Sequence, residues 1–199
     1  GHLPALFDAL ETAGQPHGIG LYGTYAANSM RLEKGYRGWG ADLTTERSPL
    51  ESGLAAFTKT EGRDFPGRTA LIARPNDWQS VLLRVEDGPT DPFYAHPVWQ
   101  GDRIIGIVTS GGFGHRVGHA LALALLREPL SGEALSIEIL GQSRAVTVLD
   151  RPPFDPDNTR LRMQYARLLT RTDLDEARRQ FQTLRQTLPI HSVGISDHL

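Results

Sequence analysis

The sequence predicts an α+β protein in which a helical first third is followed by a small antiparallel β-barrel or sandwich and then by a C-terminal helix. Apolar residues recur at helical spacing near the N-terminus and again over residues 159–188. Over residues 76–155, short apolar runs of strand length alternate with turn signals such as Asp87-Gly88 and Gly101-Asp102. The predicted divisions of the chain are 1–75, 76–155 and 156–199.

Two helices are predicted in the first third. One covers residues 3–13 and ends at Gly14, because its apolar residues lie on a single helical face. That face consists of Leu3, Leu6, Phe7 and Leu10. The second helix ends at Gly35. Its predicted face consists of Tyr22, Ala26, Met30 and Glu33.

The segment between these helices and the predicted barrel carries weaker signals. Residues 35–53 are rich in glycine, threonine, serine and proline, which predicts an ordered loop. Residues 56–59 form a short strand candidate. The turn Phe65-Pro66-Gly67 leads into a short helix predicted around residues 68–73.

Four runs within residues 76–155 are predicted to be strands. They cover residues 80–86, 103–109, 135–140 and 145–149. Residues 120–126 consist only of alanine and leucine, so their pattern leaves helix and strand open. Near the C-terminus, Asp173 is a suitable N-cap, with Glu176 three positions later, for a helix over residues 173–187.

Composition excludes several classes of protein. The 199 residues are 39% apolar with a formal net charge of −2, without the positive charge typical of nucleic-acid-binding proteins. Cysteine is absent, which excludes disulfides, thiolate metal sites and cysteine nucleophiles. No apolar run reaches the roughly 18 residues of a membrane span, so we expect no membrane partner and a cytoplasmic or mitochondrial-matrix location.

One glycine pattern suggests a nucleotide site. Gly18, Gly20 and Gly23 match G-x-G-x-x-G, and Asp42 lies about 20 residues beyond, as in dinucleotide-binding proteins. That pattern should follow a strand, whereas residues 3–13 are predicted to be helical. We therefore interpret these glycines as loop residues and as residues at the start of a helix.

Two other features are interpreted as having no metal-binding or catalytic role. His115 and His119 are four residues apart, the spacing of metal ligands on one helical face, but the glycines before His115 predict a loop. Ser110 lacks the G-x-S-x-G context of a nucleophile and is interpreted as part of a turn after a strand. No metal site is predicted.

Glu33 is the most informative charged residue, because it follows Ala26 and Met30 where an apolar side chain would fit better. A buried carboxylate must be paired, exposed or protonated. One interpretation is an ion pair with Arg37, or exposure at the helix end. The other is that Glu33 accepts two parallel N–H donors from the edge of a planar heterocycle. The aromatic residues near it that could wall such a ligand are Tyr22, Tyr25, Tyr36 and Trp39.

Long collinear segments carry a family resemblance. Residues 28–44 read NSMRLEKGYRGWGADLT, residues 48–54 read SPLESGL and residues 65–71 read FPGRTAL. Farther on, residues 99–112 read WQGDRIIGIVTSGG and residues 153–160 read PFDPDNTR. Together these segments resemble the glycine-cleavage T-protein (aminomethyltransferase) family, most closely the folate-binding C-terminal part of dimethylglycine and sarcosine dehydrogenases.

The resemblance implies a three-domain, ring-like fold of which this chain holds the later parts. Residues 1–75 would end the central α+β folate-binding domain, residues 76–155 would form the C-terminal β-barrel, and residues 156–199 would be a helical extension. Glu33 would hold the pterin ring of tetrahydrofolate. The residues expected around the folate are Tyr25, Arg31, Trp39, Asp42 and Glu51.

The resemblance also implies an enzyme. In the family a catalytic aspartate of the first domain positions the folate amine that captures a one-carbon unit, and a flavin domain with FAD oxidises an N-methyl amine. Both are expected outside this chain, which would be a fragment or one piece of a split protein, so no catalytic residue is assigned within it. The alternative is a non-catalytic module with the same fold, kept for assembly or regulation.

Overall fold

The computed structural model describes residues 2–62, 64–86, 88, 90–160 and 162–164, together with residues 175, 179 and 182. Its main element is a closed barrel of six strands, preceded by short helices. The α+β class and the antiparallel barrel predicted from the sequence are therefore confirmed. Within the described residues, no helix is both long and apolar enough to cross a membrane.

The barrel strands occupy much of the predicted second division. They are β1 (Gln79–Val85), β2 (Pro97–Gln100), β3 (Arg103–Gly114), β4 (His119–Leu126), β5 (Leu135–Ile139) and β6 (Gln142–Leu149). Their order around the barrel is β1-β4-β3-β2-β5-β6, and all neighbours pair antiparallel. Closure pairs each strand on both sides, which removes the exposed edges of an open sheet.

The alanine and leucine run over residues 120–126 is strand β4, buried on both faces. Its alanines belong to the main core cluster, together with buried valines and isoleucines of other strands. Leu121 and Leu123 belong to a second cluster, which also contains Leu32 of the helix that precedes the barrel. A strand covered on both faces shows no polar alternation, which is why the pattern left helix and strand open.

Two strands differ in extent from their predictions, and one was not predicted. β3 continues to Gly114 instead of ending at residue 109, so Ser110 lies within a strand and not in a turn. β6 begins at Gln142 instead of residue 145. β2 has only four residues and begins with a proline, so its pattern is too short to indicate a strand.

The helices are α1 (Leu3–Gly14), α2 (Thr24–Glu33) and α3 (Arg68–Ala73), with short 3-10 helices at Gln15–His17 and Ala55–Phe57. The helices predicted over residues 3–13 and 68–73 are confirmed. The strand predicted over residues 56–59 is wrong. The amides of Phe57 and Thr58 instead bond to carbonyls three residues earlier, which makes a 3-10 turn.

Of the predicted face of α2, Glu33 is buried, but Tyr22, Ala26 and Met30 are exposed. Tyr22 precedes the helix, and Met30 is 44% exposed, whereas the buried residues of α2 are Ser29, Leu32 and Glu33. This face contacts β3 through hydrogen bonds: Asn28 Nδ2 donates to the Gly111 carbonyl and Ser29 Oγ to the Phe113 carbonyl. An apolar period could not predict a contact made largely by polar side chains.

The C-terminal prediction is only partly within the described residues. Residues 159, 160 and 162–164 are helical. The helix predicted over residues 173–187 lies outside the described residues, apart from residues 175, 179 and 182. The domain divisions at residues 75 and 155 stay predictions.

Candidate functional site

Glu33, at the end of α2, is held by the turn that joins β3 to β4. Its side chain is buried, with the residue only 1% exposed. Oε1 accepts the backbone N–H groups of Arg116 at 2.6 Å and Val117 at 3.3 Å. Because the side chain is buried, the interpretation that Glu33 is exposed at the helix end is wrong. The two backbone donors compensate its buried charge.

Arg37 makes other contacts instead of the ion pair with Glu33. Its Nε donates to Ser80 Oγ at 3.0 Å and its Nη1 to the Gly35 carbonyl at 3.3 Å. Burial lowers the pKa of the Arg37 guanidinium, and the negative charge of Asp42 opposes this shift. Arg37 therefore joins the end of α2 to β1.

Glu33 also lines a cleft of about 340 Å³. Both of its hydrogen bonds from described donors end on Oε1, so Oε2 has no donor among the described residues. The cleft is lined by Met30, Glu33, Lys34, Tyr36, Arg116, Phe154, Asp155, Arg160 and Gln164. We name it the Glu33 cleft.

The far wall of the Glu33 cleft comes from the segment after the barrel. The Phe154 N–H donates to the Glu33 carbonyl at 3.1 Å, and Lys34 Nζ donates to the Asp155 carbonyl at 2.7 Å. The guanidinium carbons of Arg116 and Arg160 lie 5.2 and 5.3 Å from the Phe154 ring centre. Cation–π contact at these distances holds two positive groups at the rim of the cleft.

This combination of groups suits a particular kind of ligand. A carboxylate oxygen can accept from an N–H edge, aromatic side chains can pack on a flat ring, and guanidinium groups can pair with carboxylates. Of the six residues predicted to contact folate, Glu33 lines this cleft and the other five do not. Tyr36 was predicted only as an aromatic neighbour.

Arg31 and Asp42 form a salt bridge within the protein and do not line the Glu33 cleft. Asp42 is buried, and its Oδ2 accepts from Arg31 Nη1 at 2.9 Å and from the Gly38 N–H at 2.8 Å. Its Oδ1 accepts the hydroxyls of Thr109 at 2.5 Å and Ser110 at 2.6 Å. These bonds join the loop after α2 to both α2 and β3.

Glu51 forms a second set of internal hydrogen bonds. Its Oε2 accepts the Ser48 N–H at 2.8 Å, and its own N–H donates to Ser48 Oγ at 3.2 Å, a reciprocal capping arrangement. Burial disfavours the charged form. Hydrogen bonds from Ser48 and Asp77, with the charge of Arg74, outweigh it and hold the pKa of Glu51 below its ordinary value.

The two predicted aromatic contacts lie apart from Glu33. Tyr25 is 94% exposed and lines a different cleft, between α2 and β3. Trp39 is 76% exposed and forms an isolated bridge to Leu43. The residues that the sequence did not assign, Arg116, Phe154 and Arg160, come from the β3–β4 turn and from residues 153–160.

The other sequence motifs have ordinary surroundings. Helix α1 and a 3-10 helix precede Gly18, so the strand that a dinucleotide site requires is replaced by helix. His115 lies in the turn after β3 and His119 begins β4, so the two do not share a helical face. Among the described residues, no cluster of three or more metal-binding side chains occurs.

Comparison with known proteins identifies the relatives. The family model described as the glycine cleavage T-protein C-terminal barrel domain matches residues 79–155, and that of the GCVT N-terminal domain matches residues 1–62. Mitochondrial dimethylglycine dehydrogenase of Rattus norvegicus is 35% identical over 166 residues, covering 80% of this chain and 19% of that protein. Mitochondrial sarcosine dehydrogenase of Mus musculus is 32% identical, with the same coverage.

Stand-alone transferases are also similar. Aminomethyltransferase of Corynebacterium aurimucosum is 33% identical over 162 residues, covering 77% of this chain and 43% of that protein. The crystal structure of the glycine cleavage system aminomethyltransferase T from Bartonella henselae superposes with a TM-score of 0.57 at 25% identity, covering 66% of this chain and 38% of that one.

The relatives are enzymes, and the chain spans 19% of the length of the dehydrogenases it matches. Both family models belong to one protein family, and the barrel that one of them describes is the barrel of this structure. The chain therefore belongs to the glycine cleavage T-protein family, with aminomethyltransferase-like domains related to those of dimethylglycine and sarcosine dehydrogenases.

Proposed function

We propose that the chain forms part of a tetrahydrofolate site in a protein that passes a one-carbon unit to tetrahydrofolate. The parent protein would be a flavin-linked dehydrogenase of dimethylglycine or sarcosine type, as the names of the relatives suggest. The observation that carries the proposal is the Glu33 cleft. It combines a carboxylate oxygen that has no described donor with aromatic and guanidinium groups.

The groups of this cleft fit three features of a folate: the N–H edge of the pterin, its flat ring system and the carboxylates of the tail. Glu33 Oε2 would accept from the N–H edge of the pterin, since a ring N–H and an amino group lie side by side there. Tyr36 and Phe154 would contact the flat ring system, and Arg116 and Arg160 would bind the carboxylates of the tail. When bound, tetrahydrofolate supplies the amine that accepts the carbon.

The remaining predicted residues would act at a distance from the ligand. Arg31 and Asp42 hold the loop after α2 in place, and Arg31 Nη1 also donates to the carbonyl of Tyr36, beside the cleft. Glu51 holds a later part of the chain through Ser48 and Asp77. Tyr25 and Trp39 are exposed and stay predicted contacts. The N-methyl amine and FAD are expected to bind parts of the parent protein beyond these residues.

Glu33→Gln should weaken tetrahydrofolate binding by about tenfold or more. A glutamine can still accept the Arg116 and Val117 amides through its carbonyl oxygen, but it loses the charge and the second acceptor. The loss of one charge-assisted hydrogen bond, about 1.5–3 kcal/mol, corresponds to at least one decade of affinity. The measurement is calorimetric titration of the full-length protein with tetrahydrofolate, with a thermal melt of each variant.

Asp102→Asn is the matched control, because it removes one negative charge from an exposed turn of the barrel. It should leave folate affinity unchanged. If Glu33→Gln binds tetrahydrofolate as tightly as the parent, or if it unfolds, Glu33 serves only the β3–β4 turn. If the parent itself does not bind tetrahydrofolate, the non-catalytic module becomes the better explanation.

A further inference from the structure

A second cleft, of about 370 Å³, lies on the other side of α2. It is bounded by the start of α2, by the connection between β1 and β2, and by the second half of β3. It shares no lining residue with the Glu33 cleft. We name it the Asp91 cleft. Its aromatic residues are Tyr25, Phe93, Tyr94, Phe113 and His115.

Most polar groups of the Asp91 cleft are already bonded within the protein. Asn28 Nδ2 donates to the Gly111 carbonyl, Ser29 Oγ donates to the Phe113 carbonyl, and the Ser110 hydroxyl donates to Asp42. Asp91 differs from these three residues. Its Oδ1 is buried and has no hydrogen-bond partner among the described residues.

The residue that follows Asp91 packs closely on β3. A Cβ added at Gly111 would lie 2.2 Å from the carbonyl oxygen of the adjacent Pro92, so the β1–β2 connection packs directly on the backbone of β3. Burial raises the pKa of Asp91, and the charge of His115 opposes this shift. No described cation lies within ion-pair distance of Asp91.

A half-buried carboxylate with one buried oxygen that has no described partner, in a cleft lined by aromatic rings, is an environment that favours a bound organic cation. The carboxylate supplies charge and the ring faces supply cation–π attraction. Methylated ammonium groups gain most, because their methyl groups contact the aromatic walls. A metal ion would need more oxygen ligands than one carboxylate provides.

We propose that the Asp91 cleft binds a small N-methylated ammonium compound, with the charged nitrogen beside Asp91 and the methyl groups against Phe93, Tyr94 and Phe113. The volume is within the range of small-molecule sites. Because the Asp91 cleft shares no lining residue with the Glu33 cleft, this proposal does not depend on the proposed function.

The test compares a methylated cation with a neutral molecule of the same shape. Choline and 3,3-dimethylbutan-1-ol differ in that a quaternary nitrogen replaces a carbon, so an apolar surface would bind both. The full-length protein is titrated with each at pH 8 by calorimetry. We expect saturable binding of choline and binding of the neutral alcohol at least tenfold weaker.

Substitutions test whether choline binds in this cleft. Asp91→Asn should weaken choline binding by about tenfold or more, because the amide keeps the shape and loses the charge. Phe93→Leu should also weaken it, whereas Asp102→Asn, on an exposed turn, should not. A melt of each variant shows whether it is folded. If Asp91→Asn unfolds, the test rests on Phe93→Leu and on the comparison of choline with the neutral alcohol in the unsubstituted protein.

Three results would overturn the proposal: no saturable choline binding, equal binding of the neutral alcohol, or unchanged affinity in folded Asp91→Asn. Failure here is distinguishable from failure of the folate proposal, because Asp91→Asn is also titrated with tetrahydrofolate. Its folate affinity should equal that of the parent.

Discussion

Asp42→Ala should lower the free energy of unfolding by about 3 kcal/mol. The carboxylate accepts four hydrogen bonds in a buried position, and its loss removes the acceptor from Arg31, Gly38, Thr109 and Ser110. Breaking a buried ion pair by removing one partner is strongly destabilising, since the other groups stay desolvated. For a protein of this size the melting temperature should fall by roughly 10 °C.

A denaturant titration of the parent, Asp42→Ala and Asp42→Asn measures this effect. Asp42→Asn keeps oxygen and shape but loses the charge, so we expect an intermediate value. Asp102→Ala, at an exposed turn, should change stability by no more than about 0.5 kcal/mol. If Asp42→Ala is as stable as Asp102→Ala, the loop after α2 is held by other contacts.

Gly106→Ala should be destabilising by about 3 kcal/mol, although it adds a single methyl group. A Cβ at this position in β3 would lie 2.2 Å from the Leu125 carbonyl oxygen and 2.9 Å from Leu126 Cα. Both atoms belong to the backbone of β4, so no side-chain rotation relieves the overlap and the two strands must separate. Overpacking of a core usually costs about 1–3 kcal/mol, and a backbone clash lies at the upper end.

The control for Gly106 is Gly20→Ala, where an added Cβ meets no atom within 4 Å. This substitution should be neutral or slightly stabilising, because alanine restricts the unfolded chain. Far-ultraviolet circular dichroism during thermal melts compares the two variants. Equal melting temperatures would show that β3 and β4 are not packed as closely as the structure has them.

Most of the barrel could be predicted because four of its six strands carry a local pattern of apolar runs and turns. Residues 80–86 and 135–140 combine strand-length apolar runs with turn signals, and both became strands with nearly the same bounds. Residues 120–126 could not be assigned, because a strand buried on both faces lacks alternation. β2 was missed because four residues carry too little pattern.

The Glu33 cleft could be predicted only in part. The charge at position 33 signalled that a partner was needed, but the partner is the backbone of Arg116 and Val117, more than eighty residues away. Phe154 and Arg160 join the cleft through bonds between the end of α2 and the segment after the barrel. Spacing along the chain cannot show contacts that only barrel closure creates.

The most direct test of the central claim is a crystal structure of the full-length protein with tetrahydrofolate bound. The pterin should lie in the Glu33 cleft, with an N–H group within hydrogen-bond distance of Oε2, while Oε1 keeps the amides of Arg116 and Val117. A pterin bound elsewhere, with Glu33 contacting only the β3–β4 turn, would contradict it.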